Sequence, residues 1–358
     1  MRRSSRGVTL SDIARETGVS KVTVSCILND RSSSSTVRVS DSTRERVLAA
    51  ARTMGYHPNA LARGLARRRT DTVTLVMQSP NVFSGGSGFI SEMMHGVVDA
   101  ANAAGLDLML HTRALPDADA EVRSLTDGRS DGALLLRDRD DPLIAALAER
   151  GHPSVLIFSR AESAPDAWYV DVDNVRGGRL ATEHLIGLGH WRIAFLGGSP
   201  HSAAVADREA GYRAALADAG LPAPPPEWVL RMNYAGDGDG LATLVRLFRD
   251  TLPPARPTAL FAWSDDVALR ALDALRADCG LRVPEDVSVV GFDGTAADGG
   301  RGAAGPRLTT VRQPVQEIAR CGVALLVACV NGEPVDNPQR LFDPSLVPRE
   351  SSAPPATR

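Results

Sequence analysis

Three groups of side chains in this 358-residue chain have the types needed for specific chemistry. The first is a basic head. Residues 1–70 hold fourteen Arg and Lys side chains against five Asp and Glu, a formal charge of +9; the whole chain sums to −3, which leaves −12 for the rest. A basic head on an acidic body suits a polyanion at one end only, and the plain alternative is a solvated basic arm. The second group is Arg208 with Asp265 and Asp293, each carboxylate following an apolar run (ALFAWS and VSVVGF). Open α/β sheets present ligands at the C-terminal ends of their strands. An Arg with two carboxylates supplies the donors and acceptors that a polyhydroxylated ligand needs, or else forms a cross-cleft salt bridge. The third group is aromatic: Tyr234, Trp263 and Phe292 are candidates to stack on a sugar face, with core packing as the alternative.

Other chemistries find no support in the residues. Cys26, Cys279, Cys321 and Cys329 are scattered with no CxxC pair, which fits a reducing compartment and neither a zinc ribbon nor a disulfide scaffold. His184 and His190 have no third metal ligand nearby, so core or surface roles are expected. GDGDG at 236–240 fits no phosphate-loop pattern, and no GxSxG elbow exists. Enzyme chemistry, cofactors and metals are therefore not expected. No long apolar run is present and MRRSSRGVTLSDIARE lacks an apolar signal region, so the expectation is a cytoplasmic protein without a membrane span.

The elements that would hold these residues read in two textures. In the head, Ser11 is a candidate cap for a helix over about 12–17, Gly18 supplies a turn, and Ser20 caps a second helix over about 21–28. Two short helices joined by a Gly-containing turn form the helix-turn-helix pattern. Ser40 caps a third helix to about Met54, and Pro58 opens a brief segment, Asn59 to Leu65. From Asp71 onward β-rich runs near 72–77, 106–111, 132–136, 153–158, 192–197, 258–262 and 287–291 alternate with helical ones. The helices are expected at about 89–104, 118–127, 142–150, 175–188, 203–219, 239–251, 265–279 and 314–330. Alternation of this kind makes parallel doubly wound sheets, and this length suits two lobes with a cleft better than one sheet.

VTLSDIARETGVSKVTVSCILN, then TRERVLAAARTMGYHPNALARGL, RIAFLGG, DREAGYRAAL, ALFAWSDDVALRALDALRADCGLRVPEDVSVVGFDG and RLTTVRQP stand in one order along the chain. In this order they resemble the LacI/GalR family of bacterial transcription repressors over roughly residues 8–350. The resemblance implies a homodimer on a pseudo-palindromic double-stranded DNA operator, with a small effector, a sugar or sugar derivative, in the cleft of a periplasmic-binding-protein-like core. It implies that Lys21, Val22 and Thr23 read bases, with Ser25 and Asn29 nearer the backbone. Lys21 can donate to guanine, and Val22 or Thr23 can touch a thymine methyl. Ser20, Thr9, Leu10, Ser40, Tyr56 and Asn59 match positions that hold the phosphate backbone, although Leu10 and Tyr56 also fit headpiece core. Leu65 matches a leucine that wedges into the central base step, and Ala62 is small enough to approach the groove floor. Asn59–Leu65 is too short for a stable isolated helix, which suits a hinge that folds on DNA. In the cleft the resemblance assigns Arg208 to a ligand hydroxyl or carboxylate and implicates Asp265, Asp293, Asn81 and Phe83.

Four departures from that family stand out. Cys26 replaces a usual Arg, the loop from Asn29 to Ser40 is longer, Ser264 replaces an Asn, and QSPNVFSGGSGF (78–89) replaces a tighter cleft loop. The expected architecture is an all-α helix-turn-helix headpiece (1–57), a hinge helix and linker (58–70), a two-lobed α/β core with parallel doubly wound sheets (71–350) and a disordered tail (351–358). The expected function is repression under effector control. The alternatives are a cytoplasmic sugar-binding protein, or an enzyme without specific DNA regulation.

Overall fold

The computed structural model describes residues 8–28, 39–57, 64, 67, 69–77, 88–113, 115–232, 239–295 and 306–356. The chain divides into two compact units, Met1–Asp71 and Thr72–Arg358.

The described part of the first unit contains α1 (Leu10–Thr17), α2 (Lys21–Leu28) and α3 (Asp41–Thr53). Ile13, Val24, Ile27, Val47 and Ala51 form its core, and Leu10 and Tyr56 pack against them. Gly18, at φ 68°, makes the left-handed turn between α1 and α2. α1 starts earlier than the Ser11 cap predicts. Asp12 accepts hydrogen bonds from the Thr9 backbone N–H (3.0 Å) and from the Thr9 hydroxyl (2.7 Å), so Thr9 is the cap. Ser11 has Ala14 three residues on and cannot form this reciprocal box; Thr9 has Asp12. Ser20 and Ser40 cap as expected: Ser20 Oγ accepts from Thr23 N at 3.0 Å, and Ser40 Oγ from Thr43 N at 3.3 Å.

The second unit has two lobes. In the first, β1 (Thr72–Met77), β2 (Asp107–His111), β3 (Gly132–Leu136), β4 (Ser154–Ile157), β5 (Trp168–Val172) and β11 (Gln339–Phe342) form a parallel sheet ordered β11-β5-β4-β3-β1-β2. In the second, β6 (Ile193–Gly197), β7 (Val229–Arg231), β8 (Ala259–Ala262), β9 (Ser288–Asp293), β10 (Thr309–Arg312) and β12 (Ser345–Val347) are ordered β12-β10-β9-β8-β6-β7. That sheet is parallel except for β12, which runs antiparallel to β10. The first lobe carries α4 (Gly88–Ala103), α5 (Ala118–Leu125), α6 (Pro142–Glu149) and α11 (Val315–Asn331). The second carries α7 (Asn174–Gly187), α8 (Ala203–Asp218), α9 (Asp239–Asp250) and α10 (Asp265–Ala277).

The chain crosses between lobes three times, after β5, after β10 and after β11. α11 follows β10 of the second lobe yet packs on β3, β4 and β5 of the first, where Gly322 lets it settle against Ile157 and Gly132 leaves room for its Leu326 and Val330. Asp173 N donates to Phe342 O at 2.9 Å, tying two of the crossings together. The described residues of the tail, 351–356, are not loose. Ser351 is fully buried; its hydroxyl donates to Val289 O (2.6 Å) and accepts from Thr309 N (2.8 Å). His190 contacts Thr258, Ser288 and Ala353, and His184 contacts Ser352, so both histidines serve this strap. Composition alone hid it, because a Pro/Ser-rich segment can still be pinned by backbone and hydroxyl hydrogen bonds.

Candidate functional site

In the headpiece, the first turn of α2 carries the base-reading candidates outward. Val22 is 65 % exposed, a large apolar side chain with no cover on the described unit. Lys21 and Ser20 are also exposed, and Thr23 is half-buried with its hydroxyl 2.8 Å from that of Ser20. The buried Val24 and Ile27 fix the other side of the helix, so the exposed turn is held by the core. Thr9 and Ser40 are exposed caps, and Ser25 and Cys26 are half-buried. Leu10 and Tyr56 are half-buried packing residues, and the Tyr56 N–H donates to Ala51 O at 2.9 Å. Asn29, Asn59, Ala62 and Leu65 lie outside the described residues.

In the core, Arg208 is the centre of a buried polar cluster. It sits on α8, which approaches α7 so closely that only glycine fits at two crossing points. A Cβ on Gly178 would stand 2.2 Å from Arg208 O, and one on Gly211 2.1 Å from Val175 O. Tyr212, fully buried, donates its hydroxyl to Ile193 O at 2.7 Å and anchors α8 on β6. The Arg208 guanidinium then donates from Nε to Asn174 Oδ1 (2.8 Å) and from Nη1 to Trp263 O (2.5 Å). Its carbon lies 3.5 Å from the Phe292 ring centroid, and Asp293 Oδ1 is 3.7 Å from Nη1. Arg208 is 4 % exposed and Asp293 5 %. Both belong to the second lobe, so their ion pair lies within one lobe and does not span the cleft.

The other cleft candidates separate by geometry. Asp265 has both oxygens engaged: Oδ1 accepts from Thr310 Oγ1 (2.6 Å) and Oδ2 from Thr295 N (2.9 Å). It therefore acts by fixing the ends of β9 and β10. Phe292 is fully buried between the Arg208 guanidinium and Gly177, so it supports Arg208 and offers no stacking face. Trp263 is half-buried, its ring lying over Gly198, where a Cβ would stand 2.9 Å away. Tyr234, Asn81 and Phe83 lie outside the described residues.

Burial sets the electrostatics. Removal from water pushes the Asp293 carboxyl up to about 8, against the pull of Arg208, and pushes Asp171 up to about 6. Asp171 is 1 % exposed on β5; Asn174 Nδ2 reaches its two oxygens at 3.2 and 3.1 Å. Across the cleft, Arg160 of the first lobe pairs with Asp207 on α8 and lies 3.9 Å from Asp171. Nearby, His201 Nδ1 is 2.9 Å from Asp140 Oδ2, so the two lobes touch along this side.

A small helical unit that exposes the first turn of its second helix and a two-lobed sheet protein with a buried polar cluster at its strand ends are two halves of one known architecture. Residues 9–59 match the family described as "Bacterial regulatory proteins, lacI family", and residues 182–352 match "Periplasmic binding protein-like domain". The chain is 38 % identical over 354 residues to the HTH-type transcriptional regulator CelR of Thermobifida fusca, covering 97 % of this chain and 98 % of that one. The chain belongs to the LacI family. It is a DNA-binding transcription regulator and not an enzyme. A second relative is the transcriptional repressor PurR of Aliivibrio fischeri strain MJ11, 32 % identical over 349 residues, 96 % of this chain and 98 % of that one. Among solved structures, a CelR–cellobiose complex matches with TM-score 0.70 at 36 % identity, covering 96 % of this chain and all of that one. The lac repressor dimer bound to operator and the anti-inducer ONPF matches with TM-score 0.79 at 26 % identity, covering 97 % of this chain and all of that one.

In this LacI-family regulator Ser264, which stands where the family has Asn, caps α10 by accepting from Val267 N at 3.3 Å and is 1 % exposed. Sequence reasoning missed Asp171, Asn174, Arg160, Asp207 and Gln313. One signal was available: Asp171 is an acid inside the apolar run WYVDV, a position that needs a buried partner. Asn174 and Gln313 gave none, because an amide at a strand–helix junction reads as an ordinary turn residue.

Proposed function

We propose that the chain is a repressor that binds a pseudo-palindromic operator as a homodimer and is controlled by a sugar or sugar derivative in the interlobe cleft. The observation that carries the reading is the buried Arg208, fixed by Asn174 and Trp263 O beside Asp293 at the strand ends. In the headpiece, Lys21, Val22 and Thr23 enter the major groove, while Thr9, Ser20, Ser25, Asn29, Ser40, Tyr56 and the backbone at Leu10 hold phosphates. The exposed Val22 supports this role. Asn59 to Leu65 folds on the operator, with Ala62 near the groove floor and Leu65 wedging the central step. Asn81, Phe83, Tyr234, Trp263, Asp265 and Asp293 line or shape the effector site with Arg208. The similarity to an operator-bound lac repressor and to a cellobiose-bound CelR supports the two halves of the proposal.

Effector binding changes the lobe angle, shifts the spacing of the two hinges and releases DNA; linkage requires only that the effector prefer one lobe arrangement. The test is fluorescence anisotropy on the protein's own upstream DNA, titrated with salt and with a panel of neutral sugars. Tight, salt-sensitive binding that a sugar weakens is expected. Binding that no sugar moves would refute the effector class. An Arg208→Ala protein whose DNA affinity still responds to sugar would refute the assigned site.

A further inference from the structure

The two lobes meet directly at one edge of the cleft, through short segments that are not the connections between them. On the first lobe these are residues 137–141, after β3, and Arg160, after β4; on the second they are residues 199–207, from just past β6 into α8. The sheet orders set β3 and β4 inward of β5 and β11, and put β8 and β9 between β6 and the β10–β12 edge. Contacts made here therefore act at a distance from the crossings about which the lobes turn. Three contacts bridge the lobes. The Arg139 backbone N–H donates to His201 O at 3.3 Å, His201 Nδ1 stands 2.9 Å from Asp140 Oδ2, and Arg160 pairs with Asp207. Both sides are braced. The Ser159 hydroxyl donates to Arg137 O at 2.6 Å and joins the two first-lobe segments, while Glu121 and Asp141 hold the Arg137 guanidinium. On the second lobe His201 N donates to Ser199 Oγ at 3.3 Å, next to the Ser202 that caps α8.

The middle contact depends on charge. A carboxylate only accepts, so His201 Nδ1 carries the proton in this bond. The bond strengthens when the other ring nitrogen is protonated too, because the donor is then a cation. Imidazole changes charge between about pH 5 and pH 8. The His201 bond holds the Asp140 carboxyl below its ordinary range, so the acceptor stays ionised across that interval. The other charged groups on the facing segments are Asp138, Arg139 with Glu162, Asp141 with Arg137, and Asp207 with Arg160. Asp171, 3.9 Å from Arg160 and pushed up to about 6 by burial, also titrates here.

We propose that these contacts form an electrostatic latch that favours the closed lobe arrangement, and that His201 gates it by pH. The closed arrangement sets Asp140 beside His201 and so favours the protonated ring. That share of the latch is complete below the imidazole range and is lost as pH rises through it. Both side chains are largely exposed, 66 % for His201 and 59 % for Asp140, so the gate is worth about twofold to fivefold in the closing equilibrium. A ligand enclosed between the lobes binds the latched arrangement, so effector affinity follows the same sign; this consequence, unlike the latch, rests on the proposed function.

The test is amide exchange of the full-length protein, read at single residues by mass spectrometry. The Arg139 N–H is covered by its bond to His201 O and reports the latch without any ligand. Corrected for the chemical exchange rate, its protection is expected to fall about twofold to fivefold from pH 6 to pH 8, with Leu135 inside β3 as the unchanged control. His201→Gln and Asp140→Asn, checked as folded by circular dichroism, are expected to show the weaker protection at both pH values. Wild-type protection that ignores pH overturns the gate. A pH effect that persists in His201→Gln also overturns it and points to Asp171. An Arg139 amide that exchanges at the chemical rate at both pH values overturns the latch itself. In a parallel titration, a sugar that binds is expected to bind more tightly at pH 6 than at pH 8 in the wild type and equally in His201→Gln. If no sugar binds, the sugar reading falls while the exchange measurement still decides the latch.

Discussion

Replacing Gly178 with Ala tests whether the α7–α8 contact is what places Arg208. The added Cβ would stand 2.2 Å from Arg208 O, and backbone cannot swing away as a side chain does. Ordinary contact begins at 3.4 Å, so α8 must retreat by about 1.2 Å at this residue. Arg208 Nε sits 2.8 Å from Asn174 Oδ1, and a shift of that size takes the bond beyond hydrogen-bond range. Overpacking of this kind costs about 1–3 kcal/mol, or a melting shift of several degrees at roughly 2–4 °C per kcal/mol. The effector response, which needs sub-ångström placement, should suffer more than stability. Gly187→Ala is the control: it lies on the same helix with nothing within 4 Å of its Cβ and should be neutral or slightly stabilising. The assays are thermal melting by circular dichroism and sugar-titrated anisotropy on operator DNA. A Gly178→Ala protein that melts and responds to sugar like Gly187→Ala would refute the argument that close helix approach positions Arg208.

Other outcomes follow from the same coordinates. Ser20→Ala removes the cap that Thr23 N uses, which should lower headpiece stability by about 1 kcal/mol and weaken operator binding; an unchanged headpiece melt would contradict it. Val22→Ala, at a 65 % exposed site, should alter operator preference with little change in melting temperature, and identical preference in a randomised-site selection would remove Val22 from base reading. Asp293 is held protonated by burial up to about 8, so the folded state binds more protons than the unfolded one above about pH 4. Its contribution is fully present below the unfolded carboxyl value and is lost as pH rises through about 8. The melting temperature of the wild type relative to Asp293→Asn should therefore fall between pH 6 and pH 9, and a rise would refute the sign. Deleting residues 351–358 should lower the melting temperature by several degrees through loss of the buried Ser351 bonds to Val289 and Thr309, about 1 kcal/mol each; an unchanged melt would show that the strap is not stabilising.

What the sequence makes legible is whatever has a period or a cap. Helices such as 203–218 and strands such as 72–77 emerge from apolar spacing. The strands 168–172, 229–231, 309–312, 339–342 and 345–347 do not, because they are short, several lie at sheet edges, and WYVDV and TTVR mix polar with apolar residues. Their pairing is set by distant partners, as when Gln339 to Phe342 adds to Tyr169 to Val172. In the site, Arg208 and Asp293 were legible as charges at motif positions. Asn174 and Gln313 were not, because only burial and convergence from separate chain segments bring them to the cluster; Asp171 left one sign, an acid inside the apolar run WYVDV. Phe292 shows the opposite error: an aromatic beside a site residue reads as a platform until burial shows it packed beneath the guanidinium.

The buried cluster and the interlobe connections are the same piece of chain. Asp171 is the last residue but one of β5 and Asn174 opens α7, so the first crossing runs between two members of the cluster. Gln313 and Pro314 join β10 to α11 on the second crossing, and Asp293 O accepts from Gln313 N at 3.2 Å. The third crossing, after β11, is tied to the first through Asp173 N and Phe342 O. A rotation of one lobe on the other must turn backbone dihedrals in these few residues, since the packed lobes on either side are rigid by comparison. Under the proposed function, a ligand that touches both lobes binds one lobe angle better than another, which is the differential affinity that coupling requires. The close approach at Gly178 and Gly211 locks α7 to α8, and with it Asn174 to Arg208, inside the second lobe, so a hinge motion has to turn the backbone before Asn174 and around Gln313.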